Sequence, residues 1–432
     1  MADTKTGSKN NFITFGCRLN AFETEVMRDH AGSAGVENTI FINSCAVTTE
    51  AVRQARQKIR KASRDNPDAR IVVTGCAAQI DPSQFSTMPE VHLIIGNVEK
   101  GTRQTYERLA ADKNNSSSNR DTPLVQVSNI MHAENTPLHR ISGFTKRTRA
   151  FVQIQNGCDH RCTFCVIPFG RGPSRSIVPG DVIAQIRQHV DAGIAEVILT
   201  GVDITSYGTD LTGTPSLGSL VKSILKTIPK LARLRLSSID SVEVDADLFD
   251  ALAHEERLMP HLHLSLQSGD SMILKRMKRR HSPQRAVEFC QKARDLRSDI
   301  VFGADLIAGF PTETDQMFEN SLTHVTECDL TQLHVFPYSP RPGTPAALMP
   351  QLPRAEITSR AKRLRDMGDK VHQRFLLAQK GMVRQILIER PGFGYSEHFA
   401  KVELPQRDNS GEVISARITG ARNNMLNAEY LR

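Results

Sequence analysis

The chain has 432 residues, enough for roughly three domains of ~150 residues each. Only 39% of them are hydrophobic, no run of about 18 apolar residues is present to span a membrane, and the opening MADTKTGSKN lacks the apolar core of a secretory signal. Eight cysteines therefore point to metal or redox chemistry in a reducing, cytoplasmic setting rather than to disulfides, and a net charge of +8 favours a polyanionic partner.

In the first third one arrangement recurs. Phe12–Phe15 runs into Gly16 and Cys17, Thr39–Ile42 into Asn43, Ser44 and Cys45, and Ile71–Thr74 into Gly75 and Cys76. Each is a short apolar run of β-prone residues that stops at a cysteine. Helical patterns separate them, one beginning near Phe22 and one covering residues 48–62. A fourth run, His92–Gly96, follows. Such alternation predicts a parallel α/β sheet over residues 9–110, whose strand ends share one edge where ligands bind. Cys17, Cys45 and Cys76 are thus expected to converge there as candidate metal ligands. Three buried structural thiols are the alternative.

Residues 111–143 read as a linker. The stretch ADKNNSSSNRD at 111–121 is polar and rich in Ser and Asn, and His139, Arg140, Lys146, Arg147 and Arg149 gather after it. A solvated loop and contact with RNA explain that basic cluster equally well.

The alternating run Phe151–Gln155 then leads into Gly157–Cys158–Asp159–His160–Arg161–Cys162–Thr163–Phe164–Cys165. One loop delivers three thiols at i, i+4 and i+7 to a single point. A cubane iron–sulfur cluster has four iron corners, so three cysteines leave one iron open to a non-protein ligand. Electron carriers and structural zinc sites, by contrast, close with four ligands.

Residues 144–375 read as six β/α units. Strands are expected at 150–155, 196–200, 233–237, 261–266, 301–307 and 332–336, with helices at 180–192, 283–296 and 313–327. Six units are fewer than the eight of a closed barrel. The expectation is an open (β/α)6 partial TIM barrel with its site at the C-terminal strand ends. Polar or glycine residues stand at those ends: Thr200–Gly201–Val202–Asp203, Ser237–Ser238, Gln267–Ser268–Gly269, and Gly303–Pro311 with Asp305 and Gly309. The basic stretches Lys275–His281 and Arg354–Arg374 offer either phosphate contacts or solvated helix faces. Cys290 and Cys328 lie within helical patterns and read as core. Residues 378–432 switch to period-two alternation, with Ala400, Val402 and Leu404, then Ile414, Ala416 and Ile418, between Gly- and Pro-containing turns. They predict a small five-strand β-barrel of OB-like type.

Three thiols at an α/β sheet edge, a CxxxCxFC loop opening a partial barrel, and a β-barrel tail that resembles the RNA-binding TRAM domain together resemble the radical S-adenosylmethionine (SAM) methylthiotransferases. That resemblance implies two 4Fe–4S clusters and SAM as cofactors. Cys158, Cys162 and Cys165 would hold the catalytic, radical-generating cluster, and Cys17, Cys45 and Cys76 an auxiliary one carrying the sulfur to be inserted. It also implies SAM contacts: Phe164 on the adenine, Gly201 and Asp203 around the amino group, Ser238 and Gln267 along the same edge, and Asp305 and Gly309 in the motif packing on the adenine. Expected partners are tRNA and a reduced flavodoxin- or ferredoxin-type electron donor, with no membrane.

Within the family, Gly16–Cys17–Arg18–Leu19–Asn20 with Phe22–Glu23–Thr24–Glu25 looks most like the group acting on threonylcarbamoyladenosine, next to the anticodon of tRNA, at C2. So do Asn43–Thr48, Phe169–Ser176 and Gly201–Gly208. Leu264–Gly269 departs from the usual pattern by lacking a proline. Isopentenyladenosine in tRNA is the alternative substrate, and a non-enzymatic iron–sulfur RNA-binding protein the alternative from another class. A threonyl carboxylate asks for a cation, and Arg171 and Arg175, just past the cysteine loop, are the candidates.

Overall fold

The computed structural model describes residues 10–112, 124–134 and 148–431. Most of the expected linker stretch at 111–121, and the basic residues His139, Arg140, Lys146 and Arg147, lie outside the described residues. The chain divides into two compact units. Met1–Ser142, Asn156–His160 and Cys165–Arg175 form the first; Gly143–Gln155, Arg161–Phe164 and Ser176–Arg432 form the second.

The first unit is built on a parallel sheet of Asn11–Thr14, Thr39–Ser44, Arg70–Gly75, Leu93–Ile95 and Leu124–Gln126, in that order. The last strand falls inside the stretch expected to be linker. It is three residues long and largely exposed, so it carries no hydrophobic pattern of its own. Helices Arg18–Ser33 and Thr49–Asp65 flank the sheet. Thr48 caps the second by accepting from the Ala51 amide at 3.1 Å, and Val52, Ala55, Ile59 and Ala62 are its buried stripe. Strand Thr39–Ser44 is buried on both faces, as a central parallel strand should be.

In the second unit all the expected strands are parallel, but the ladder is broken once. Arg149–Gln153, Glu196–Thr200 and Arg233–Leu236 form one sheet; Ser238–Ile239, His261–Gln267, Val301–Ala308 and Leu330–Pro337 form another. The break falls at Ser237, whose amide still bonds the Leu199 carbonyl at 3.0 Å, while Ser238 and Ile239 pair with His263 and Leu264. One run of chain thereby serves two partners and lets the partial barrel curve. Helices Pro179–Asp191, Pro283–Leu296, Asp315–Glu327 and Arg354–Ala378 alternate with the strands.

Strands Val383–Arg390, Phe393–Ser396, Lys401–Glu403, Val413–Arg422 and Met425–Tyr430 close into the expected small barrel around Ile386, Ile388, Val402, Ala416, Ile418 and Leu426. It docks on the residues that open the partial-barrel strands. Glu196 is wholly buried and holds Arg235 at 3.0 Å, while Arg235 also donates to the Glu397 carbonyl at 3.0 Å. Arg233 donates to the Gln385 and Tyr395 carbonyls, and Arg149 pairs with Glu389. Burial alone would raise the Glu196 carboxyl, but Arg235, Arg233 and Arg149 hold it below the usual carboxylate range. The small barrel thus sits at the strand N-termini, away from the edge expected to bind ligands. Among the described residues, no helix is long and apolar enough to cross a membrane.

Candidate cluster sites and cofactor edge

Each N-terminal cysteine sits just past a strand of the first sheet. Cys17 precedes helix Arg18–Ser33, Cys45 follows Thr39–Ser44, and Cys76 opens the short helix Cys76–Ile80 directly after Arg70–Gly75. A Cβ on Gly16 would lie 2.8 Å from the Cys45 Sγ, which places the first two cysteines side by side. Burial pushes the Cys45 thiol up to about 11, and the neighbouring charges of Cys76 and Cys17 push the same way. The three therefore gather at one edge. Gly75 makes the last turn possible: its φ is +96°, and a Cβ there would fall 2.2 Å from the Ser44 carbonyl oxygen.

A buried set of ions surrounds Cys76. Arg171 donates its Nε–H to the Cys76 Sγ at 3.1 Å and turns its two terminal nitrogens to Glu23 and Asn20, the Nη2–Glu23 Oε2 distance being 2.9 Å. Lys100 closes the other side, 2.6 Å from Glu23. Burial alone would raise the Glu23 carboxyl; Arg171 and Lys100 bring it down to about 2. The motif around Asn20 and Glu23 and the motif containing Arg171, read separately in the sequence, thus meet at Cys76.

Arg171 is consequently only 2% exposed and has no free face for a substrate carboxylate. Arg175 is also turned inward, donating to the carbonyls of Pro173 at 2.8 Å and Arg171 at 2.9 Å. Position alone makes both candidate substrate cations; their geometry gives them structural partners.

Cys158, Cys162 and Cys165 lie half-buried on one loop. Gly157 opens it at φ +75°, where a Cβ would sit 1.8 Å from the Pro173 carbonyl oxygen. In the first unit, the Cys158 amide bonds Gly172 at 3.1 Å and Asp159 accepts from the Ser174 amide at 3.1 Å. In the second, Thr163 is held by its amide on the Met277 carbonyl at 3.1 Å and by its hydroxyl on the Arg276 carbonyl at 2.8 Å. Phe164 meets Phe310 edge-on at 6.5 Å.

The other expected residues fall on the second unit's strands as follows. Gly201 and Asp203 follow Glu196–Thr200, and the side chain of Gln155, not singled out in the sequence, accepts from the Val202 and Asp203 amides at 3.0 and 2.9 Å. Ser238 is exposed beside the break, and Gln267 ends its strand with φ +68°. The Gly309 amide bonds Glu313 at 3.1 Å, and Glu313 in turn holds Arg360 at 2.7 Å. Asp305 lies mid-strand, where its carboxylate meets two imidazoles, His263 at 2.9 Å and His334 at 3.2 Å. Neither histidine carries a sequence signal, because each is one of several polar residues spaced along its strand, with no motif to mark it.

The basic stretches mostly answer internal acids. Arg279 reaches Asp240 at 2.8 Å, Arg280 pairs with Glu243, and His281 is buried, its pKa pushed down to about 4 by that burial. Arg360, from the second stretch, is buried against Glu313. Cys290 and Cys328 are fully buried, as expected of core residues.

Three thiols, one of them taking the Arg171 Nε–H, fit an anionic 4Fe–4S cluster with one open iron, whereas a structural zinc site closes with four ligands. Residues 152–325 match the Radical SAM superfamily, and residues 9–96 match Uncharacterized protein family UPF0004. The chain is similar to a radical S-adenosylmethionine methyltransferase from Kitasatospora setae in fold, with TM-score 0.57, 14% identity and coverage of 79% of this chain and 75% of that one. It is 32% identical to a threonylcarbamoyladenosine tRNA methylthiotransferase of Bacillus subtilis over 95% of this chain and 93% of that one. A tRNA-2-methylthio-N(6)-dimethylallyladenosine synthase of Cereibacter sphaeroides is 30% identical over 97% of each chain. The threonylcarbamoyladenosine tRNA methylthiotransferase MtaB of Rickettsia prowazekii is 47% identical over 95% of each chain. Likeness of that extent, spanning the cysteine edge, the loop and the closing barrel alike, makes this chain a member of the radical SAM methylthiotransferase family, in its MtaB-like group.

Proposed function

We propose that this chain is a tRNA methylthiotransferase that places a methylthio group on C2 of N6-threonylcarbamoyladenosine beside the anticodon. The observation that carries this reading is the gathering of Cys17, Cys45 and Cys76 at one sheet edge against Arg171, in a chain whose loop 158–165 brings three more thiols. Two three-thiol seats suit an enzyme that makes a radical at one and delivers sulfur from the other. Relatives named for threonylcarbamoyladenosine stand at 47% and 32% identity and the dimethylallyladenosine relative at 30%, which favours the first substrate.

Cys158, Cys162 and Cys165 would hold one 4Fe–4S cluster and Cys17, Cys45 and Cys76 the second. When bound, these groups supply the electron that cleaves the SAM sulfonium and the sulfur atom that is inserted. The protein's own share is placement. Gln155 pins the backbone at Val202 and Asp203, so Asp203 has a fixed position for the SAM amino group. Phe164, braced by Phe310, and the strand end at Gly309 border the adenine seat, and Ser238 and Gln267 line the same edge. Glu23, Lys100 and Arg171 hold Cys76 in a buried, water-poor setting. The TRAM-like barrel, taken as residues 378–432, supports tRNA binding, and the electron comes from a reduced flavodoxin- or ferredoxin-type protein in the cytoplasm.

Mass spectrometry of tRNA nucleosides from cells lacking the protein tests this. The 2-methylthio form of threonylcarbamoyladenosine should disappear while its precursor accumulates, and purified enzyme should modify tRNA carrying threonylcarbamoyladenosine but not isopentenyladenosine. The reverse preference would overturn the substrate and leave the radical chemistry standing.

A further inference from the structure

We propose that His334, oriented by Asp305 and backed by His263, is the side chain that reads the polar threonylcarbamoyl substituent and excludes an apolar one. This inference rests on the substrate reading above and assigns it a residue.

Register places the three on one face of adjacent parallel strands. His263 pairs with Gly303, and Asp305 pairs with His334. The alternate residues Phe302, Ala304 and Leu306 are buried, and Leu333 packs against Gly368 of helix Arg354–Ala378, so helices cover the opposite face. His263, Asp305 and His334 therefore look into the concave side of the partial barrel. Gly303 makes room for the deeper imidazole, since a Cβ there would lie 2.6 Å from the His263 Nδ1.

The arrangement is graded from buried to open. His263 is 8% exposed, Asp305 22% and His334 61%. One carboxylate oxygen, Asp305 Oδ1, takes both the His263 Nε2 and the His334 Nδ1. The two rings lie 4.5 Å apart between centroids. Asp305 thus fixes a proton on the His334 Nδ1 and leaves the Nε2 of an exposed, oriented ring facing outward. That nitrogen accepts from a ligand N–H or O–H when the ring is neutral and donates to a ligand oxygen when it is protonated.

A threonylcarbamoyl group offers a carboxylate, a carbonyl, a hydroxyl and N–H groups, all of which such a nitrogen can meet. An isopentenyl chain offers none, and would bury the imidazole with its hydrogen bond unmade. Other basic side chains are engaged elsewhere: Arg171 with Glu23, Arg175 with backbone carbonyls, and Arg279 and Arg280 with Asp240 and Glu243.

The test measures binding of two anticodon stem–loops identical except for threonylcarbamoyladenosine or isopentenyladenosine, using anaerobically reconstituted full-length protein. The wild type should prefer the first by about tenfold or more. His334→Phe should bring that ratio to within about twofold and raise the KM for threonylcarbamoyladenosine tRNA more than it lowers kcat. His334→Gln, which keeps a polar head of similar reach, should recover part of the preference, and it carries the test if the Phe variant loses iron or fold. A wild type without the preference overturns the substrate reading itself. A wild type with it, and variants that keep the full ratio at unchanged iron content, overturn the role of His334.

Discussion

Loop Cys158–Cys165 packs its three thiols into eight consecutive residues, whereas Cys17, Cys45 and Cys76 are spread over sixty. The loop is shaped mainly by near neighbours, a positive-φ glycine at Gly157, the Cys158 amide on Gly172 and Asp159 on the Ser174 amide, with Thr163 tied to the distant Met277 and Arg276 carbonyls. The dispersed set needs a whole sheet. Three strands must run parallel and end level, and a buried cage of Glu23, Lys100, Arg171 and Asn20 must settle against Cys76. Clustered thiols are a property of chain sequence; dispersed thiols are brought together by topology and buried charge.

Removing the thiols gives the largest expected effect and should separate the two proposed cluster sites. Replacing Cys158, Cys162 and Cys165 by Ala should remove about half the bound iron and abolish cleavage of SAM to 5′-deoxyadenosine. Replacing Cys17, Cys45 and Cys76 should also remove about half, yet leave SAM cleavage intact while sulfur insertion stops. Full iron in the second variant, measured by metal analysis, would dissolve the distinction between the two regions.

The supports should differ next. Glu23→Ala leaves the Arg171 and Lys100 charges buried without their shared carboxylate, and should cost about 3–5 kcal/mol in denaturant unfolding, with iron lost from the N-terminal site first. Asp159→Ala removes one exposed acceptor from the cysteine loop and should cost no more than about 0.5–1.5 kcal/mol. Equal costs would mean that the loop relies on buried electrostatics as heavily as the sheet edge does.

Much of this molecule was legible in its residues. Apolar runs that stop at Cys17, Cys45 and Cys76, with helical spacing between them, require a parallel sheet, and a parallel sheet brings its strand ends to one edge. The CxxxCxFC spacing puts three thiols on one short loop, and alternation in the tail is enough to predict a closed barrel. Local periodicity encodes such features, so sequence alone determines them.

What only the tertiary structure decided are the partners of single polar residues. Leu124–Gln126 becomes a strand because a neighbouring edge is there to pair with it, not because three residues have a pattern. Arg171 looks like a substrate cation by position, yet Glu23, 148 residues away in sequence, claims its guanidinium. Glu196 opens an apolar strand and would be costly to bury alone; arginines from other strands, whose guanidiniums also grip the small barrel, make it tolerable. His263, Asp305 and His334 lie on three strands, and only strand register puts their ring nitrogens on one carboxylate oxygen. A hydrophobic pattern repeats and can be read along the chain, but a hydrogen bond or ion pair between distant residues exists only once the backbone has folded.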